Sequence, residues 1–253
     1  MSTAVSDEQL ARTLAAYAGM VARVLADPER WLAVEPATAA LAGRHLLQRA
    51  VATVRRGAMG AVAPGDPDWD AVPVADRDAW WVRRIGAVAG LAAAAPRFAG
   101  ALADRVPLQA ALGASASGLA VCAVAREHGV TTATGWVPLL GRVLFDRDLQ
   151  RVTAPVPDAD QSERDLDAAP GPDGDPRAAA GGGPLVVRSA RTLWRLARGF
   201  GGIDQLLDHR PRGGFLARSL AKAPVVGVAG GWLDERGAIR RAAATTAQLV
   251  DRA

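Results

Sequence analysis

Several groups of residues have types and spacings that could do chemistry. Gly113-Ala-Ser115-Ala-Ser117-Gly118 sets serines between glycines, as the nucleophile elbow of a serine hydrolase does. The elbow requires glycine where Ser117 stands, and a strand-turn-helix that this alanine-rich stretch lacks. Asp158, Asp160 and Ser162 alternate like ligands of a calcium loop, but Glu163 occupies the position where the tight turn needs glycine. Gly181-Gly-Gly183-Pro184 lacks the Lys-Ser/Thr of a phosphate loop, and Gly199-Phe-Gly201-Gly202 lacks the third glycine of a dinucleotide fingerprint. Ala223-Pro-Val-Val-Gly-Val-Ala-Gly-Gly231 reads superficially as a strand and a glycine turn, yet no strand–helix alternation surrounds it.

The metal and thiol chemistries fare no better. His45, His128 and His209 have no ligand-type partner three to five residues away on a helix, and Glu127-His128 are neighbours that face different ways on a helix. Each histidine is expected to be a surface or packing residue. Cys122 is the only cysteine, which excludes an internal disulfide and cysteine-clustered metal sites, and it is expected to be a buried, inert thiol. Trp80, Trp81 and Trp232 are expected to be core or interface anchors. No catalytic, cofactor-binding or metal-binding residue is therefore assigned, and a non-enzymatic protein without a cofactor is expected.

The elements that position these residues are helices. The chain has 253 residues, of which 56 are Ala, with four Phe and one Tyr. Alanine forms helices well and strands poorly, so an all-β fold is unlikely on composition. Leu10, Leu14, Tyr17, Val21 and Val24/Leu25 recur at helical spacing behind a Ser6/Gln9 capping box, and Pro28 ends or interrupts that helix. A second helix is expected from about Pro36 to Arg56, then a loop over 58–75. A third is capped by Asp76 and carries Trp80, Trp81, Ile85 and Val88. Thr132 to Leu149 forms another, with Trp136, Leu139/Leu140, Val143 and Leu144.

Between Arg105 and Arg126 lie twenty uncharged residues, the length of a membrane span. Only six are Leu or Val, which supply about −3 kcal/mol on insertion scales, and Gln109, Ser115, Ser117 and the glycines offset much of that. A helix of a buried core is the expectation. Small residues at Gly86/Gly90 and Gly113/Ser117 would let such helices approach closely.

The net charge of +4 is a sum of unlike parts. Residues 1–150 carry +1, residues 151–183 carry −4 and residues 184–253 carry +7. The acidic stretch from Pro155 to Pro184 has six Pro, five Gly and seven acids, with Leu166 and Val156 its only large apolar side chains. Too little can be buried to offset ordering, so a disordered linker is expected. Beyond it, Arg188, Arg191, Arg195 and Arg198 fall within about 80° of a helix, with Val186, Ala190, Leu193, Ala197 and Phe200 opposite. Such a face suits an anionic membrane surface or an acidic groove; a solvated face on a packed helix is the plainer alternative. Arg210 and Arg212, in Asp208-His-Arg-Pro-Arg-Gly-Gly214, could meet a phosphate, although a solvated turn is the plainer reading there. MSTAVSDEQL has neither a basic n-region nor an apolar h-region, so a cytoplasmic start is expected.

The stretch Leu216 to Val250, LARSLAKAPVVGVAGGWLDERGAIRRAAATTAQLV, passes from a leucine/alanine helix through Pro224-Val-Val-Gly227 into an Arg-Arg-Ala helix. This resembles the C-terminal region of EcsC-family proteins. Val124-Ala-Arg-Glu-His-Gly-Val130 also looks like that family's apolar helix ending before a glycine. The resemblance covers about 85–149 and 200–250. It implies a helical, membrane-associated protein without catalytic residues, accessory to transport or secretion. Gly227, Gly230 and Gly231 would serve close helix approach there.

Together these readings predict an all-α protein. A helical region over 1–150 is followed by an acidic disordered insertion over 151–183. A basic, Gly-rich helical hairpin over 184–253 packs back on the first region. The predicted function is peripheral membrane association on the cytoplasmic face, with an anionic membrane surface or membrane protein as partner. The alternative is a regulatory module whose Arg-rich helix binds an acidic protein or nucleic acid, although no nucleic-acid motif is present.

Overall fold

A computed structural model describes residues 5–32, 62–94, 106–168, 184–200 and 227–252. Within them the chain is all-helical. The helices are α1 (Asp7–Ala26), α2 (Pro28–Leu32), α3 (Val74–Ala94), α4 (Val106–Glu127), α5 (Ala133–Phe145), α6 (Ala159–Ala168), α7 (Pro184–Arg198) and α8 (Gly227–Val250). A 3-10 turn, Trp69–Ala71, precedes α3.

The uncharged run becomes α4, the central helix, which packs against α8, α3, α5, α7 and α1. Every residue from Ala111 to Ala125 is buried. A helix that is apolar on all sides must be surrounded, and here other helices surround it. Among the described residues no helix is long and apolar enough to cross a membrane. Small side chains let several neighbours reach one axis, and the closest approach falls at Gly118. A Cβ there would stand 2.8 Å from the Tyr17 hydroxyl and 2.9 Å from its ring.

Ser6 caps α1 by accepting from the Gln9 amide at 3.1 Å, and Leu10, Leu14, Tyr17, Val21 and Val24 turn inward. Asp27 separates α1 from α2, which Pro28 opens, as suits a residue without an N–H to satisfy. The Arg126 guanidinium donates to the Leu25 carbonyl and Arg84 to that of Leu32, which satisfies carbonyls at both helix ends. Thr132 caps α5 through the Gly135 amide. The third helix begins at Val74, two residues before the expected cap. Asp76 lies in its first turn, where a carboxylate still favours the helix dipole.

The acidic segment departs from expectation. Residues 159–168, predicted as part of a disordered linker, form α6, which packs on α1 and touches α7. Asp158 caps it, accepting from the Gln161 amide at 2.7 Å, and Leu166 is fully buried. Ser162 lies over Gly19, where a Cβ would come within 2.6 Å of its hydroxyl. Residues 151–158 of that predicted linker are described and lead into α6, whereas 169–183 lie outside the described residues, as does the helix predicted over 36–56. Both C-terminal helices pack back on the first region, and residues 201–226 between them lie outside the described residues. Each packs chiefly on α3 and α4 rather than on the other.

Candidate functional site

The candidate basic face lies on α7. Ser189, Ala190, Thr192, Leu193, Trp194, Leu196, Ala197 and Phe200 are all buried, an arc of about 200° at 100° per residue. Thr192 donates to the Trp31 carbonyl at 2.7 Å, and the Ser115 hydroxyl donates to the Leu193 carbonyl at 3.4 Å. Phe200 packs against Tyr17, ring centroids 4.6 Å apart. With the apolar stripe buried in the core, the outer face presents guanidinium groups, Arg191 and Arg198 exposed and Arg195 partly so.

The structure separates the four predicted arginines. Arg191 and Arg198 reach solvent. Arg195 reaches Asp167 of α6 at 3.5 Å. The Arg188 side chain, Arg210 and Arg212 lie outside the described residues. Arginines that local periodicity did not single out complete the basic ground beneath α6. Glu163 takes Arg23 through one oxygen at 2.5 Å and Arg30 through the other at 2.6 Å. Hydrogen bonds from Arg23 and Arg30 hold the Glu163 carboxyl below the usual range, while Glu163 raises the Arg30 pKa. Their separations of 140 and 133 residues hide these pairs from any local reading.

A second polar cluster lies where α4 ends. Glu127 accepts from the indole N–H groups of Trp81 at 2.9 Å and Trp69 at 3.3 Å, and pairs with Arg77 at 2.7 Å. Trp69, Trp80 and Trp81 stack edge to face in sequence around it. Next in the chain, His128 places Nε2 2.9 Å from Asp78 and Nδ1 2.9 Å from Asp251. Glu127 and His128 thus serve α3 together, because α4 ends between them and the turn redirects the second side chain. Both ring nitrogens face carboxylates, so the arrangement ties α3, α4 and the end of α8 and leaves no nitrogen to act as a base.

Partial burial opposes the charged His128 ring, but the hydrogen bonds and charges of Asp78 and Asp251 outweigh it, so its pKa is raised. Burial also raises Asp78, against the pull of His128. A raised folded-state pKa stabilises fully below the unfolded value, about 6.5 for histidine, and the gain is lost as pH rises through the folded value. The melting temperature is therefore expected to fall as pH rises above about 6.5. The loss is small, because Asp251 is largely exposed and solvent-screened. His128→Gln should flatten this slope in thermal melts; equal slopes would make the clasp energetically silent.

The remaining predicted residues fall into place as packing. Ser115 and Ser117 are buried in α4, as is Cys122, whose thiol burial pushes well up in pKa. Trp80 and Trp81 are in the core. Gly86 is buried, and a Cβ there would touch Arg236 of α8 at 3.5 Å. Gly90 is half-buried and Gly113 is buried, while Gly227, Gly230 and Gly231 lie in the first turns of α8. His45 and His209 lie outside the described residues, as does the Trp232 side chain. Among the described residues no cluster of metal-ligating side chains forms. Asp158 caps α6, Asp160 is exposed in its first turn and Ser162 packs on Gly19. A cleft of about 410 Å³ between α5 and the end of α8 is lined by apolar residues such as Val130, Leu139 and Leu249 together with Arg142, Asp148 and Gln150. Comparison with family models, curated proteins and solved structures gives no match for the chain.

Proposed function

We propose that this protein is a non-enzymatic interaction module that meets an acidic partner through the basic side of α7. The observation that supports this most is the division of α7, a wide buried arc opposite exposed Arg191 and Arg198. Two guanidinium groups seven residues apart stand about 10 Å apart along one face, and each can fork onto a carboxylate. Acidic side chains already meet this ground from within the chain, since Asp167 reaches Arg195.

An anionic membrane surface is the second reading, supported by the same exposed pair and by the resemblance to EcsC-family proteins, which adds an accessory role in transport or secretion. Since the apolar stripe of α7 is buried in the core, such attachment rests on charge alone. The discriminating experiment compares wild type with Arg191→Glu/Arg198→Glu on polyglutamate, phosphatidylserine vesicles and duplex DNA across a salt series. Salt-sensitive binding to polyglutamate, lost in the variant, is the expected result. Vesicle binding without polyglutamate binding would move the proposal to the membrane reading. Binding to none, or binding that the variant retains, would overturn it.

A further inference from the structure

The helix α6 covers arginines as a bound peptide would. It reads ADQSERDLDA, with Leu166 its only large apolar residue. Glu163, Leu166 and Asp167 lie on one side, at i, i+3 and i+4. Glu163 bridges Arg23 and Arg30, Leu166 enters the core, and Asp167 stands 3.9 Å from Arg30 and 3.5 Å from Arg195. The covered ground is basic, with Arg23 of α1, Arg30 of α2 and Arg195 of α7 meeting the acids of α6.

Three observations mark α6 as a removable cover. A ten-residue polar helix does not hold its shape alone, so it depends on docking. Apart from Leu166 and the close contact of Ser162 with Gly19, that docking rests on ion pairs whose side chains are partly exposed, Asp167 by 54 % and Arg30 by 49 %. Such pairs are weak and salt-screened. The match is also incomplete: Arg23 Nε and Arg195 Nε are buried with no hydrogen-bond partner. Those two N–H groups could be satisfied by an occupant with one more acceptor on each side.

We infer that α6 is an internal occupant of a binding groove for an acidic amphipathic helix of a partner protein, which displaces it and takes Arg23, Arg30 and Arg195. The partner's signature is a carboxylate, an aliphatic residue three positions on and a second carboxylate next, as in Glu163, Leu166 and Asp167. This rests on the acidic-partner reading of α7 but uses different arginines, so the two can fail separately.

The test uses the full chain and a fluorescent peptide of residues 157–168, PDADQSERDLDA. A release variant carries Glu163→Ala, Leu166→Ala and Asp167→Ala. A covered groove reduces apparent affinity by the fraction of time it is open, so the release variant should bind at least about ten-fold tighter than wild type. Adding Arg23→Ala and Arg30→Ala should abolish that gain. A release variant with native helix content that binds no tighter overturns the inference, as does one that takes phosphatidylserine vesicles or DNA but not the peptide. Should that variant fail to fold, hydrogen exchange on wild type decides. Amides of 159–168 are expected to exchange at least about ten-fold faster than those of α1, and faster still in high salt. Protection equal to α1 and indifferent to salt overturns the inference. A wild type that does not bind polyglutamate, while the release variant binds the peptide, would sink the α7 reading and leave the groove standing.

Discussion

Arg77→Met is expected to lower the free energy of unfolding by about 3–5 kcal/mol, because it strands the Glu127 carboxylate where water scarcely reaches. The Glu127 side chain is 7 % exposed and that of Arg77 is 14 % exposed. At 2.7 Å Arg77 is the cation paired with Glu127, and its other carboxylate partner, Asp70 at 3.6 Å, is almost wholly in solvent and competes little for it. Trp81 and Trp69 would still donate to the stranded carboxylate, but two neutral donors do not replace a cation. The double variant Arg77→Met/Glu127→Gln should recover more than half of the loss, since an amide oxygen accepts from both indoles without a net charge. Arg77 Nε is buried and unpartnered, which makes the native pair imperfectly compensated and favours that recovery. Urea unfolding of the three variants at neutral pH measures the cycle. Equal losses in the single and double variants would mean that charge at Glu127 is not what Arg77 balances.

The second large effect centres on Tyr17 and Gly118. Tyr17 is fully buried, donates its hydroxyl to the Ser115 carbonyl at 2.6 Å and packs on Phe200. Tyr17→Ala removes the ring from the seam between α1, α4 and α7 and is expected to cost about 3–5 kcal/mol. Gly118→Ala has two opposed consequences. Alanine gains about 1 kcal/mol in helix propensity, but its Cβ would sit 2.8–3.0 Å from the Tyr17 ring and hydroxyl, which cannot retreat past Phe200. Overpacking of this kind costs about 1–3 kcal/mol, so a net loss is expected. In the Tyr17→Ala background the same methyl enters vacated space, and Gly118→Ala should become stabilising. A reversal of sign in thermal or urea melts is the expected signature; a constant effect in both backgrounds would place the close contact elsewhere.

These two sites show what local reading of the chain reaches. The inward residues of α1, α3 and α5 follow from apolar spacing, and Ser6 and Thr132 cap helices as their positions imply. Gly113 and Ser117 were singled out as close-approach residues on spacing alone. Among the described contacts a close approach of α4 falls one residue on, at Gly118 against Tyr17. The Glu127 cluster was invisible to local reading. Its donors come from the turn before α3 and from α3 itself, and side-chain pairing over such separations leaves no periodic trace.

The acidic segment is the sharpest case. Its composition argues that it cannot build a core, which is sound for a segment standing alone. What composition omits is a core built by others with room for one leucine, ringed by arginines in α1, α2 and α7. Residues 159–168 therefore order by docking, and the opposed charges of the middle and C-terminal segments meet in part across that contact.

By itself the amino-acid sequence determined the helical class, most inward faces, several helix ends and the placing of basic residues on α7, because these depend on spacing within a few turns. Only the tertiary structure decided that the uncharged run is a central helix, which arginines stay exposed, and that an acidic helix covers others. Those outcomes depend on which distant surfaces meet, and burial and charge pairing are properties of the meeting rather than of either segment.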